Sequence, residues 1–182
     1  MKNVELRKYS NYHLKIYAHR YLQYGQVDDL EFVFDRTQED VDRAKVLNGK
    51  YLSGSATKAE ISEWMHGMRG ALNASDLNRI ERNTAVVLHE IGLEVQEKHW
   101  DRAAIPRISD YRRLLSDVAR IRNGYGVMTG TPVMPTEPLN TYQKWNDIEK
   151  ILHDVHFVYV QVQADRVYCG TEMYAGEGTG LI

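Results

Sequence analysis

Few residues in this sequence have the types and spacing that chemistry needs. Glu63 and His66 stand three apart in Glu63-Trp64-Met65-His66. Helical di-iron proteins use that spacing, because positions i and i+3 share one helix face. Such a centre also needs a second copy of the motif and two more carboxylates, and the later helical segments contain no second copy. His153 and His156 repeat the spacing, with Glu149 one turn earlier. Two histidines on one helix do not make a zinc site, although threefold symmetry could multiply them into a ring of ligands. A solvated or capping role is the simpler reading of both pairs, and no metal or other cofactor is expected.

Nucleophile and phosphate chemistry is equally sparse. Cys169 sits among Tyr and Gly with no base assigned to it, and a lone cysteine in such surroundings is usually inert. The glycine-rich stretches 124–130 and 176–180 lack the Lys-Ser/Thr of a phosphate loop and read as turns. Arg107, Arg112, Arg113, Arg120 and Arg122 make one predicted helix locally basic, which gives an alternative reading as a helical nucleic-acid-binding or regulatory protein. Asp110 and Asp117 share that helix, so a solvated or salt-bridged face is the stronger expectation. No catalytic constellation emerges, and the chain is not expected to be an enzyme.

The composition narrows the classes further. The chain has 182 residues, 43% of them hydrophobic, and a formal charge of -2. Its mean hydropathy is -0.51. These values suit one soluble globular domain, with or without arms, and give no global basic field for nucleic acid or a membrane surface. Cys169 is the only cysteine, which rules out an internal disulfide and fits a reducing compartment. No apolar run approaches the roughly 20 residues that span a bilayer, and the N-terminus has no apolar signal segment. Synthesis and folding in a cytoplasm are expected.

The elements that must position these residues follow from periodicity. Residues 1–34 form a first region in which Tyr9, Tyr12, Tyr17, Tyr21 and Tyr24 crowd, and Leu14, Ile16 and Ala18 alternate with polar positions as in a half-buried strand. Leu30, Phe32 and Phe34 give a second strand-like run. The region reads either as a hairpin packed on its own helices or as an arm offered to a neighbour, and a helix over 12–24 also satisfies the pattern. Residues 35–163 form the helical body. Thr37 and Thr57 each precede a carboxylate by three residues and predict capped helix starts. Trp64 is expected in the core, Gly67 and Gly70 loosen the backbone, and Ser75 is expected to cap a third helix running to about Lys98. Ser109 is expected to cap a fourth helix, with Gly124 just past its end.

A fifth helix carries the clearest period. Thr141, Trp145, Ile148, Leu152, Val155, Tyr159 and Val162 alternate steps of four and three. Ile151 and Val158 widen the stripe, which suits either the core helix of a bundle or a coiled coil of more than two strands. Residues 164–182, with Tyr168 and Tyr174, read as a β-like arm and a flexible glycine-rich tail. The predicted fold is therefore mainly α, a bundle of about five helices with short β-strand arms at both ends.

A longer pattern runs through these elements. It comprises Asp35-Arg36-Thr37, Asp40-Val41, Arg43, Glu63-Trp64, Gly67-Met68-Arg69-Gly70-Ala71, Asn73, Ser75-Asp76-Leu77-Asn78-Arg79-Ile80-Glu81, Asn146-Asp147-Ile148-Glu149-Lys150-Ile151-Leu152, and Tyr168-Cys169-Gly170-Thr171-Glu172 with Gly176-Glu177. The series resembles a module recurring in tail and baseplate proteins of tailed bacteriophages and prophages, over residues 35–98 and 139–177. The resemblance implies a non-enzymatic structural subunit of a virion tail, baseplate or tail-like particle, assembled in the bacterial host cytoplasm. Relatives in that family are often segments of larger fibre or host-recognition chains. A free-standing copy better suits an adaptor joining baseplate to fibre, or a small baseplate subunit. Expected partners are further copies of the chain, most simply a trimer about the fifth helix, and other tail, baseplate or fibre proteins; neither nucleic acid nor membrane is expected. Trp64, Gly67, Gly70, Asn73, Ser75, Asp76, Asn78, Trp145, Ile148 and Leu152, with Val155 and Tyr159 from the fifth-helix period, are the candidate structural-motif or interface residues. The tyrosines of the two arms are the partner-contact candidates.

Overall fold

The computed structural model describes residues 30–164. The compact unit that holds the helices begins at Phe32. Among the described residues there are five helices and no strand: α1 (Gln38–Leu52), α2 (Lys58–His66), α3 (Ala74–Glu90), α4 (Ile108–Gly124) and α5 (Tyr142–Ala164). Most of the two arms, with Tyr9, Tyr12, Tyr17, Tyr21, Tyr24, Tyr168 and Tyr174, lies outside the described residues.

Both threonine capping boxes form. The Thr37 hydroxyl accepts the Asp40 N–H at 3.2 Å while Asp40 accepts the Thr37 N–H at 2.8 Å. Thr57 and Glu60 repeat the exchange at 3.3 and 2.9 Å. Each pair satisfies two amides that a helix start leaves free.

The third and fourth helices begin differently from the sequence expectation. Asn73, not Ser75, flanks α3, and Arg107, not Ser109, flanks α4. In each case the carboxylate three residues on accepts the flanking N–H, Asp76 from Asn73 at 3.0 Å and Asp110 from Arg107 at 2.7 Å. A carboxylate in the first turn can thus satisfy the entry amide without a hydroxyl at the boundary. Gly124 is the last residue of α4 rather than the first beyond it. Helix α3 stops at Glu90, well short of Lys98. There Gly92 takes a positive φ of 80°, and the Gly92 and Leu93 amides bond back to the His89 and Leu88 carbonyls at 3.0 and 2.8 Å. These bonds satisfy the terminal carbonyls and turn the chain out of the helix.

The run Leu30 to Phe34 is not a strand. Residues 30–37 have no regular secondary structure. The Val33 N–H bonds to the Glu149 carboxylate at 2.7 Å in place of a strand neighbour.

Helices α3, α4 and α5 pack pairwise around one core, and α1 packs on α2. In the main core Ile80, Val87, Leu88, Val118, Ile121, Ile148, Ile151, Leu152 and Val155 are fully enclosed. The fifth-helix stripe is therefore interior to this chain. Trp145, Ile148, Leu152 and Val155 face α3 and α4, while Thr141 and Val162 at its ends are exposed. Tyr159, half-buried, meets Tyr125 with ring centroids 5.9 Å apart. The α1–α2 hairpin has a smaller core of Ala44, Leu47 and Met68, against which Trp64 and Ala71 pack.

Candidate functional site

The residues of the longer sequence pattern meet in two places. The first is a buried ionic cluster joining the entry segment 32–36 to α3 and α5. Arg36 donates to Glu149 at 2.8 Å and to Asp76 at 3.3 Å, and its other terminal nitrogen donates to the Val33 carbonyl at 2.5 Å. Arg79 donates to the same two carboxylates, at 2.9 Å each through Nη2. Glu149 is completely buried and Arg36 is 6% exposed. Asn146 exchanges two bonds with the Arg36 backbone, at 3.3 and 2.9 Å. Burial lowers the Arg79 pKa, but the Glu149 and Asp76 carboxylates overcome it and the net shift is upward. Two cations and two anions thus close on each other with their polar atoms bonded. Such a cluster fixes which surfaces meet, and it holds no open position for a substrate.

The second place is a cleft of about 720 Å³ where the start of α3, the end of α2 and the loop after Trp100 converge. Trp64, Gly67, Asn73 and Ser75 from the sequence pattern line it, together with Trp100, Arg102 and Tyr111. Asn78 builds one wall indirectly. Its side-chain amide donates to the Trp100 carbonyl at 2.9 Å and accepts the Trp100 N–H at 2.7 Å. The Trp100 indole N–H donates to Glu81 at 3.3 Å, and Lys98 lies 4.1 Å from the centre of its ring. Glu81 in turn pairs with Arg113. Burial, with Asp110 nearby, pushes the Tyr111 phenol up.

Glycines shape the hairpin side of the cleft. Gly67 ends α2 with φ at 91°. Gly70 packs directly against the Asp40–Val41 backbone, where a Cβ would collide. Trp64 is half-buried, not enclosed: one face stacks on Tyr51 at 3.9 Å, and the Arg102 guanidinium lies 5.5 Å from its centre. Asn73 ties the turn together, with its Nδ2 within 3.0 Å of the Met68 carbonyl and 2.9 Å of Asp76. Asp76 therefore belongs to both places, one oxygen serving the turn and the other the two arginines.

The metal candidates are engaged elsewhere. Glu63 pairs with Arg43 at 2.8 Å, which lowers its pKa, and the His66 Nδ1 lies 2.7 Å from the Ser62 carbonyl. His153 lies against Asp154 at 2.9 Å and His156 against Glu90 at 3.0 Å, while Glu149 is held by the arginines. Among the described residues no three His, Cys, Asp or Glu side chains converge on one point.

The arginines of α4 face partners of the same chain. Arg112 pairs with Glu137, Arg113 with Glu81 and Asp117, and Arg120 with Asp117, while Arg122 donates to the Pro132 carbonyl. A nucleic-acid footprint needs cations aligned and free to meet phosphate, which these pairings oppose.

Some of this was within reach of the sequence. Glu149 stands beside Ile148 on an otherwise apolar stripe, and a carboxylate there requires a cationic partner. Nothing in the local sequence names Arg36, 113 residues away, as that partner. Trp100 carries no periodic signal at all, lying in an irregular segment. Among the described residues no helix is long and apolar enough to cross a membrane. Compared with known proteins, the chain matches no family model, no curated protein and no solved structure.

Proposed function

We propose that this chain is a structural subunit of a bacteriophage tail or baseplate, or of a related tail-like particle, acting as a homo-oligomeric adaptor between baseplate and fibre. The observation that carries the reading is the mutual pairing of the pattern residues. Arg36, Asp76, Arg79 and Glu149 bind one another, Arg43 binds Glu63, Arg69 binds Asp35, and Gly70 abuts Asp40. A pattern maintained by such contacts suits a scaffold, and among the described residues its side chains present no nucleophile, acid and base arranged around a vacant point.

Self-association in this reading cannot use the fifth-helix stripe, whose central residues are already enclosed. It uses apolar side chains left on the surface of the hairpin and the cleft rim: Leu52 is 77% exposed, Val46 52%, Met65 50% and Ile105 86%. Apolar side chains left exposed on a subunit are what an assembly contact buries. A trimer is the expected copy number, and a virion tail the expected location.

The test is to purify particles from a host that carries the gene with an epitope tag, and to locate the tag by electron microscopy. Label at the baseplate–fibre junction, with fibre-less particles when the gene is deleted, is the expected result. Intact, fibre-bearing particles from the deletion strain overturn the adaptor role.

A further inference from the structure

The cleft at the start of α3 is open on a surface that the chain's own side chains leave partly apolar. Met65 and Leu72, both in its lining, are 50% and 40% exposed. Ile105, between the lining residues Ala104 and Pro106, is 86% exposed. Arg102 stands over this surface with no carboxylate of the described residues within ion-pair distance. Its contacts are the Trp64 ring and the Met65 sulfur, the latter at 3.9 Å. The other charged lining residue, Asp101, accepts the Ala103 N–H at 2.8 Å, and His66 turns its Nδ1 to the Ser62 carbonyl. Among the described residues the cleft thus offers aromatic and thioether walls and one guanidinium, that of Arg102, without a carboxylate partner. An occupant with apolar or aromatic side chains and a carboxylate complements both.

We propose that residues 168–177 of a second copy of this chain dock in the cleft, so that copies join head to tail. Deepening the reading of the chain as a self-assembling subunit, the proposal rests on that reading. The segment Tyr168-Cys169-Gly170-Thr171-Glu172-Met173-Tyr174-Ala175-Gly176-Glu177 carries two tyrosines, a methionine and two carboxylates, with no Lys or Arg. The tyrosine-rich segment 1–29 is the poorer complement to Arg102, because five Lys and Arg (Lys2, Arg7, Lys8, Lys15, Arg20) outnumber three acids (Glu5, Asp28, Asp29).

Geometry favours exchange between copies over return within one. The cleft lies at the Trp145 end of the bundle, since Tyr111 in its lining meets the Trp145 ring at 5.9 Å. Helix α5 runs from there to Ala164, which at about 1.5 Å per residue is roughly 28 Å away. An extended chain needs on the order of nine residues to cover that distance back, so within one copy Tyr168 to Glu172 fall short of the cleft and only the end of the segment, from about Tyr174, reaches it. A neighbour stacked end to end brings its cleft to the segment without the detour. The contact joins two different surfaces, so repetition closes a ring where the rotation between copies closes, three copies being the simplest such ring, and otherwise extends a filament.

The experiment uses the 182-residue chain in two arms. In the first, sedimentation is compared for the native chain, Arg102→Glu, the pair Glu172→Lys with Glu177→Lys, and the combination of all three substitutions. Both partial variants should self-associate more weakly by roughly tenfold or more, and the charge-swapped combination should recover. Circular dichroism checks that each variant keeps its helices. In the second arm, Tyr174 is replaced by the photo-cross-linker p-benzoylphenylalanine. A cross-link between chains, mapping to Trp64–Gly67 or Trp100–Pro106, is expected. Self-association that is indifferent to Arg102 and cross-links elsewhere overturns the docking proposal and leaves the assembly reading standing. A cross-link confined to one chain, or native chains that stay monomeric at about 100 μM, overturns it as well; the tagged-particle experiment then decides separately whether the chain is a tail subunit.

Discussion

The bundle of α3, α4 and α5 and the hairpin of α1 and α2 treat charge in opposite ways. In the bundle, Glu149 and Asp154 are completely buried and Asp76, Glu81 and Asp117 nearly so, each with cationic partners. In the hairpin, the pairs Arg43–Glu63 and Lys45–Asp42 leave both side chains more than 40% exposed. The carboxylates of these bundle pairs are buried alongside its hydrophobic core, whereas α2 has no fully buried residue. The difference separates two uses of one chemistry. Buried clusters decide which helix faces meet, because a misplaced partner leaves a charge unpaired in a low-dielectric interior. Exposed pairs are screened by water and leave the hairpin's register to Leu47, Met68 and the glycine contact at Gly70.

The largest test of this contrast is Glu149→Ala. It leaves Arg36 and Arg79 buried with only Asp76, and urea unfolding should show a loss of about 3–5 kcal/mol. Arg43→Ala, which breaks an exposed pair in the hairpin, should leave the urea midpoint nearly unchanged in the same assay. Similar losses for the two would erase the distinction.

The apolar cores can be compared by one substitution made twice. Leu152→Ala, deep in the bundle, should cost about 3–5 kcal/mol, and Leu47→Ala, under a thin hairpin, about 2–3 kcal/mol, since a thinner shell relaxes into the space more easily. Hydrogen exchange sharpens the point. Amides of α1 and α2 should exchange through partial openings while those of α3 and α5 wait for global unfolding. Gly70→Ala drives a methyl group into the Asp40 backbone and should cost about 1–3 kcal/mol, seen first as faster exchange in α1.

A smaller effect comes from pH. Burial raises the Asp154 pKa, but bonds from Lys150, His153 and Thr131 overcome it and the net shift is downward. Lys98, with the Arg107 amide, likewise lowers Asp110, and Lys50, with the Thr57 amide, holds Glu60 at about 2. A lowered carboxylate stabilises the fold fully above its unfolded value near 4, and that stabilisation disappears as pH falls through the folded value. Thermal unfolding should therefore be flat from about pH 7 to 5 and decline between about pH 4 and 2. Burial alone raises Asp147, so its protonation in the same range offsets part of the decline. Added salt should weaken the hairpin pairs and leave the bundle's clusters nearly unchanged.

The sequence by itself determined that there are five helices and about where they lie. Capping boxes at Thr37 and Thr57 and the period of α5 are local, set by contacts within a turn or two. Even there, the ends of α3 depart from the local expectation, where a carboxylate replaces a hydroxyl cap and Gly92 outweighs a continuing apolar run. Only the tertiary structure decided what the elements do to one another. A stripe from Trp145 to Val155 reads the same whether it meets its own helices or another subunit, because periodicity records that a face is buried and not by what. The ionic cluster was legible only as scattered charges. Arg36, Asp76, Arg79 and Glu149 pair across 113 residues of chain, and long-range contacts of that kind leave no local spacing to read. The cleft is more tertiary still, since Trp100 has no periodic signal and is placed by Asn78 from α3. Its walls exist once the helices pack.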